Sequence, residues 1–168
     1  MCSLVDIKLL NKVSDELKKH QVTIATAESC TGGLLAHTLT NVSGSSEYFD
    51  RGVICYSNIA KMELLSVPEQ LLTNYGAVSK QVAAAMAKTI QQRSKVDIGI
   101  ATTGIAGPTG GTKDKPVGLV FIGIATKDTV IVKEFLFSGD SGDRLANKDS
   151  TCTAALELLL ETISQKKS

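Results

Sequence analysis

The chain's 168 residues match the size of one domain with a substantial core and fall short of what two independent domains normally need, so a single domain over residues 1–168 is expected. Eighteen basic residues against seventeen acidic ones leave a formal charge of +1, so no global field draws in a polyanion or an anionic membrane surface, and neither nucleic acid nor a membrane is an expected partner. The longest apolar stretches, such as Val117–Ala125, are too short to span a bilayer, and Met1–Leu10 lacks the basic start and apolar run of a secretory signal, which points to a cytoplasmic protein.

Cys2, Cys30, Cys55 and Cys152 are widely scattered, unlike the close pairs of zinc sites or the dense cysteines of secreted scaffolds, and fit a reducing compartment. Leu4, Ile7, Leu10, Val13 and Leu17 recur every three or four residues and predict a first helix ending near Lys19. Val22–Thr26 is short and β-branched, as a buried strand should be, and Leu34–Leu39, beyond the Gly32-Gly33 pair, predicts a helix. Gly52–Ser57 reads as a second strand. Asn58 is then the expected cap of a short helix that carries Lys61, Leu64 and Leu65 and must stop before Pro68.

Ser79 can cap a helix over Gln81–Gln92, and Val96–Ala101 follows as a strand. A glycine-rich loop from Gly104 to Gly111 separates it from two long strands, Val117–Thr126 and Val130–Phe137. Their connection through Lys127-Asp128-Thr129 is short enough for an antiparallel hairpin. A final helix is expected from about Arg144 to Ile163, packing through Leu145, Ala155, Leu156, Leu159 and Ile163, with Gln165–Ser168 as a frayed tail. Alternating helices and strands, then a hairpin and a closing helix, predict a three-layer α/β/α sandwich: a mixed sheet with helices on both faces.

Two loops follow the carboxyl ends of predicted strands and are rich in small polar residues: Glu28–Gly33 after Ala27, and Thr102–Pro108. Ligands collect at such ends in open α/β sheets. The first loop opens a helix, so its backbone N–H groups can face an oxyanion or a phosphate, with Ser29 at the mouth. Capping of the helix by Ser29 or Thr31 accounts for the same residue types equally well. A nucleophilic serine needs a base. His20 falls at the end of the first helix and His37 in the middle of the second, where structural roles fit both.

That leaves lysine. Lys61 lies in the first turn of its predicted helix, where a cation meets the positive end of the dipole, so its ammonium form is disfavoured. Partial desolvation would lower its pKa further, although a solvated surface lysine remains the plainer alternative. Tyr56, at the end of the preceding strand, could bring a phenolic hydroxyl to the same cleft or merely pack with its tip in water. The metalloprotease helix, the nucleophile elbow and the phosphate loop are all missing, despite Gly107–Lys113.

Taken in order, Ala27-Glu28-Ser29-Cys30-Thr31-Gly32-Gly33, Gly44-Ser45-Ser46, Phe49-Asp50-Arg51-Gly52, Tyr56-Ser57-Asn58 with Lys61, Gly76-Ala77-Val78-Ser79, Gly104-Ile105-Ala106-Gly107-Pro108, Lys115-Pro116-Val117-Gly118 and Gly142-Asp143-Arg144 form a pattern running from Val22 to Leu160. It resembles the CinA C-terminal domain family, whose stand-alone members are nicotinamide mononucleotide amidohydrolases. The resemblance implies a hydrolase without metal or cofactor that converts the carboxamide of a small nucleotide to a carboxylate, and family members commonly pair as homo-oligomers. On that pattern Ser29 is the nucleophile, Lys61 the general base, and Tyr56 the residue that orients them. Amides around Cys30, Thr31, Gly32 and Gly33 would hold the oxyanion, Thr103 and Gly104 line the pocket, and Arg144 meets the phosphate.

Two departures from the pattern bear on that implication. Ser138-Gly139-Asp140 stand as an insertion before Gly142-Asp143-Arg144, and Lys148 occupies the position of a second arginine, keeping the charge without the bidentate geometry. The amino-terminal domain of longer members, and any activity it carries, is expected to be absent. A competing reading is a nucleotide-binding or regulatory module that uses the same pocket without turnover.

Overall fold

The computed structural model describes residues 6–137 and 143–165 of the chain. Leu4 of the first predicted helix, the Ser138-Gly139-Asp140 insertion with Gly142, and most of the predicted tail lie outside these residues. In chain order the elements are α1 (Ile7–Lys19), β1 (Ile24–Glu28), α2 (Leu34–Thr40), a 3-10 turn (Ser45–Glu47), β2 (Phe49–Ile54), α3 (Asn58–Leu65), α4 (Glu69–Tyr75), α5 (Lys80–Ser94), β3 (Ile98–Gly104), β4 (Leu119–Ala125), β5 (Val130–Leu136) and α6 (Arg144–Gln165).

The strands form one five-stranded sheet in the order β2-β1-β3-β4-β5. β1 runs parallel to both β2 and β3, while β3–β4 and β4–β5 are antiparallel, giving the mixed sheet expected from the sequence. The central strands alternate by residue type. One face presents Ile24, Ile98, Ile100, Ile122 and Ile124 to α1, α2 and α6, which bury Leu10, Val13, Leu35, Leu156 and Leu159 against them. The other presents Ala25, Ala27, Ala101 and Ala125 to α3, α4 and α5, which contribute Leu65, Leu72, Val82, Met86 and Ile90. Each fully buried aliphatic side chain is worth about 1.5–3 kcal/mol of transfer free energy.

The small residues of the second face include two glycines whose missing side chains set how near α5 can lie. A Cβ at Gly99 would stand 2.4 Å from the Ala87 carbonyl oxygen, and one at Gly123 would stand 2.6 Å from that of Ala83. α5 therefore docks with its backbone against the sheet.

Four expectations are corrected. β2 starts three residues before Gly52 and ends at Ile54, because Cys55 to Ser57 turn away from the sheet and Ser57, not Asn58, caps α3 by accepting the Ala60 N–H at 3.0 Å. As an edge strand β2 is mostly exposed, so its polar Asp50-Arg51 did not read as strand. α4 was not expected: it is seven residues long and starts at the proline that marks a break. Leu145 is exposed rather than packed, since the first turn of α6 faces the cleft mouth, and the buried stripe begins at Asn147.

The carboxyl ends of β1, β2 and β3 share one edge of the sheet. Beyond β1 the chain crosses to β2 on one side, and beyond β3 it passes to β4 on the other, so a crevice opens between the two diverging connections.

Candidate active site

Ser29 directly follows β1 and remains tied to the sheet, its N–H donating to the Thr102 carbonyl on β3 at 3.0 Å. On the other side, the Cys55 N–H donates to the Glu28 carbonyl at 2.9 Å. The chain then turns through Tyr56 into the Ser57 cap, which puts Lys61 in the first turn of α3 with its side chain directed back beneath the end of β1. Lys61 is only 1% exposed. Its Nζ lies 2.9 Å from Ser29 Oγ, and it donates to the carbonyls of Cys55 at 3.0 Å and Tyr56 at 3.2 Å.

A neutral amine has two N–H donors and one lone pair. Lys61 Nζ donates to all three oxygens; once deprotonated, its two N–H groups would stay on the carbonyls and its lone pair would face Ser29 Oγ. None of the described ion pairs includes Lys61. Burial therefore pushes its pKa down from the ordinary lysine value, with the nearby Cys55 and Cys30 thiols opposing the shift only in part.

Ser29, Cys30, Tyr56, Lys61, Thr103, Gly104 and Arg144 all line one cleft of about 260 Å³. Cys30 is no rival nucleophile, because burial raises its thiol to about 12. Thr103 serves the cleft wall structurally: its hydroxyl donates to the Ala77 carbonyl at 2.7 Å and ties β3 to the loop before α5. At the mouth, Arg144 donates to the Gly107 carbonyl at 2.9 Å and also to the Tyr56 hydroxyl.

Three sequence-based roles change in this geometry. The Tyr56 hydroxyl points to Arg144 and not to the Ser29–Lys61 pair; its backbone carbonyl is the part that holds Lys61. Gly33 donates its N–H to the Glu28 carboxylate at 3.0 Å, and Gly32 donates to the Ser29 carbonyl at 3.1 Å, so both glycine amides are spent inside the loop. Thr31, Gly32 and Gly33 are not among the residues lining the cleft. Among the described hydrogen bonds, the Cys30 and Thr31 amides donate to no other residue.

Sequence reasoning passed over Glu28 except as part of the motif, and did not single out Asn147. Asn147 is buried on α6 and donates to the Ala106 carbonyl at 2.9 Å, bracing the cleft's far wall. Glu28 is a carboxylate closing an otherwise uncharged, fully buried strand, ahead of a helix whose N-cap, Gly33, has no side chain; that conjunction is the signal that would have found it. His20 and His37 stay away from the cleft, beside Glu16 and Asn41 respectively. Among the described residues, no three His, Cys, Asp or Glu side chains gather closely enough to hold a metal ion. A second hollow of about 680 Å³ between α1 and α6 is lined by Lys12, Glu16, Glu157, Glu161 and Ser164, whose hydroxyl is spent on the Leu160 carbonyl at 2.9 Å. No helix among the described residues is long and apolar enough to cross a membrane.

The family model of the CinA C-terminal domain matches residues 6–163. A putative competence-damage inducible protein of Caldicellulosiruptor bescii is 54% identical over 160 residues, covering 95% of this chain and 38% of the relative. A CinA-like protein of Syntrophus aciditrophicus is 47% identical over 154 residues, covering 92% and 36%. The chain thus spans less than two fifths of the length of these curated relatives. The crystal structure of the competence/damage inducible protein CihA from Agrobacterium tumefaciens superposes with a TM-score of 0.88 at 38% identity, over 95% of this chain and 98% of that one. A CinA superfamily protein from Klebsiella pneumoniae gives 0.89 at 30% identity, over 94% and 97%. With the fold, the ordered motifs and these matches in agreement, the chain belongs to the CinA C-terminal domain family.

Proposed function

We propose that the protein is an amidohydrolase that converts nicotinamide mononucleotide to nicotinate mononucleotide and ammonia, with Ser29 as nucleophile and Lys61 as general base. The observation that carries the chemistry is the buried 2.9 Å contact between Ser29 Oγ and Lys61 Nζ, with the amine's remaining donors taken by carbonyls. The substrate follows from the family resemblance. A pyridinium ring withdraws electrons from the carboxamide and makes its carbonyl a better electrophile, which suits a serine activated by lysine alone.

In the proposed cycle Lys61 accepts the Ser29 proton as Oγ attacks the carboxamide carbon, and the oxyanion lies against the Cys30 amide. Lys61 then passes that proton to the leaving nitrogen, ammonia departs and an ester to Ser29 remains. Water attacks the ester, Lys61 takes its proton and returns one to Ser29 Oγ, and the carboxylate is released. Neither metal nor cofactor takes part in this reading. Purified, chelator-treated protein incubated with the mononucleotide should release nicotinate mononucleotide and ammonia in equal amounts; tight binding without ammonia release would favour the nucleotide-binding module instead.

The base must be unprotonated, and burial lowers the pKa at which that happens. The sign is therefore fixed: kcat/KM falls as pH drops through the depressed Lys61 pKa, and the midpoint of the limb lies below the ordinary lysine value of 10.5. A limb centred at the ordinary value would exclude Lys61 in this role. Arg144, with a guanidinium fork at the mouth, is the proposed phosphate contact. Arg144→Ala should raise KM for the mononucleotide by about tenfold or more and leave the riboside little changed. Equal losses on both would mean that Arg144 acts only through Gly107 and Tyr56.

A further inference from the structure

The Ser29 loop is held from behind by a side chain that never reaches the cleft. Glu28 is 1% exposed. Its Oε2 accepts from the Thr31 hydroxyl at 2.6 Å, the Gly33 N–H at 3.0 Å and the Leu35 N–H at 3.1 Å, and its Oε1 accepts from the Ala36 N–H at 2.8 Å and, at 3.5 Å, from the Thr26 hydroxyl. Three of these five donors belong to the start of α2, where helix geometry leaves amides without partners and where Gly33 offers no capping side chain. A carboxylate at the end of β1 supplies the cap from outside the helix.

The same carboxylate reaches β3. Because the Thr31 hydrogen goes to Glu28, the 2.7 Å contact between the Thr31 and Thr102 hydroxyls has Thr102 as donor. Thr102 also accepts the Ser29 N–H through its carbonyl. The arch from Ser29 to Gly33 is thus fastened at both feet, to β3 in front and to Glu28 behind. Neither the Cys30 nor the Thr31 amide donates to another residue among the described hydrogen bonds, and of the two residues only Cys30 lines the cleft.

We propose that Glu28 is a positioning residue for the Ser29 nucleophile; the inference rests on the hydrolase reading above. Its carboxylate fixes the arch so that Ser29 Oγ stays at hydrogen-bonding distance from Lys61. A carboxylate is required because it only accepts, and five donors converge on its two oxygens. In Glu28→Gln the shape is kept, but an NH₂ group must face an N–H or O–H donor. The arch then relaxes while Lys61 is untouched.

The test reads Ser29 directly, with a small fluorophosphonate that forms an Oγ–P bond and expels fluoride, followed by intact mass, alongside turnover of nicotinamide mononucleotide. Glu28→Gln should unfold as cooperatively as the unmodified protein, yet be labelled about 10- to 100-fold more slowly. Its kcat should fall in parallel, KM should hardly move, and the Lys61-dependent pH midpoint should stay where it is. Labelling within about threefold of the unmodified rate, or a loss that vanishes once corrected for the folded fraction, would overturn the proposal. If Glu28→Gln does not fold, Thr31→Val, which removes one donor of the cradle, is read the same way against the same criteria. Should the unmodified protein be labelled at Ser29 but leave the mononucleotide intact, the substrate reading fails and Glu28 is still judged from labelling. Should Ser29 resist labelling altogether, both fail.

Discussion

Ser29→Ala should lower kcat for the proposed amide hydrolysis by about 10⁴-fold or more, equivalent to about 5 kcal/mol of transition-state stabilisation, and should leave the fold intact. The substitution deletes one oxygen from a residue whose backbone tie to Thr102 is unaffected, so little stability is at stake. Lys61→Met should cost about 10²- to 10⁴-fold, because a side chain of similar length then carries no basic atom. Lys61→Arg should be as inactive: a guanidinium does not give up its proton near neutral pH, and it would bring an unpaired cation into a buried site. The double variant Ser29→Ala/Lys61→Met should be no slower than Ser29→Ala alone, since a base without its nucleophile has nothing to activate. Losses that multiply, or either single variant within about tenfold of the unmodified rate, would separate the two residues into unconnected roles.

The two residues of this pair were legible in the sequence for different reasons. Ser29 stood out because a glycine loop between a β-branched strand and a helix is where an open sheet exposes backbone donors. Lys61 stood out only as a cation in the wrong turn of a helix. What could not be read was its burial, since no local pattern distinguishes a solvated lysine from one directed beneath a neighbouring strand 32 positions away in sequence. The roles of Tyr56 and Gly33 were misread for a related reason. Sequence names the side chain, but the tertiary fold decides whether the carbonyl or the hydroxyl of Tyr56 reaches Lys61, and whether the Gly33 amide turns outward or to Glu28.

The fold was legible where burial imposes a period. α1, α5 and the β4–β5 hairpin follow their apolar repeats, and the buried strand β4 is apolar along its length. β2 was displaced because an exposed edge strand needs no apolar alternation, so its residues reflect turn and cap requirements as much as pairing. α4 escaped because seven residues allow fewer than two full apolar repeats.

In the sequence Gly99 is only one residue of the predicted Val96–Ala101 strand, whereas in the structure it controls the distance between α5 and the sheet. Gly99→Val should lower stability by about 3 kcal/mol and the midpoint of thermal unfolding by about 6–12 °C, measured by calorimetry. The new Cβ would lie 2.4 Å from the Ala87 carbonyl oxygen and 2.7 Å from the Gln91 amide nitrogen, both backbone atoms of one helix, so no rotamer change can make room. Relief requires α5 to retreat, and that would uncover Met86 and Ile90 and strain the Thr103–Ala77 hydrogen bond just ahead of the helix. Ala87→Gly should not rescue the variant, because the obstruction is the carbonyl and not the methyl group. An unchanged unfolding midpoint would mean that α5 can move away from β3 freely, and the cleft wall built on that contact would then have no fixed position.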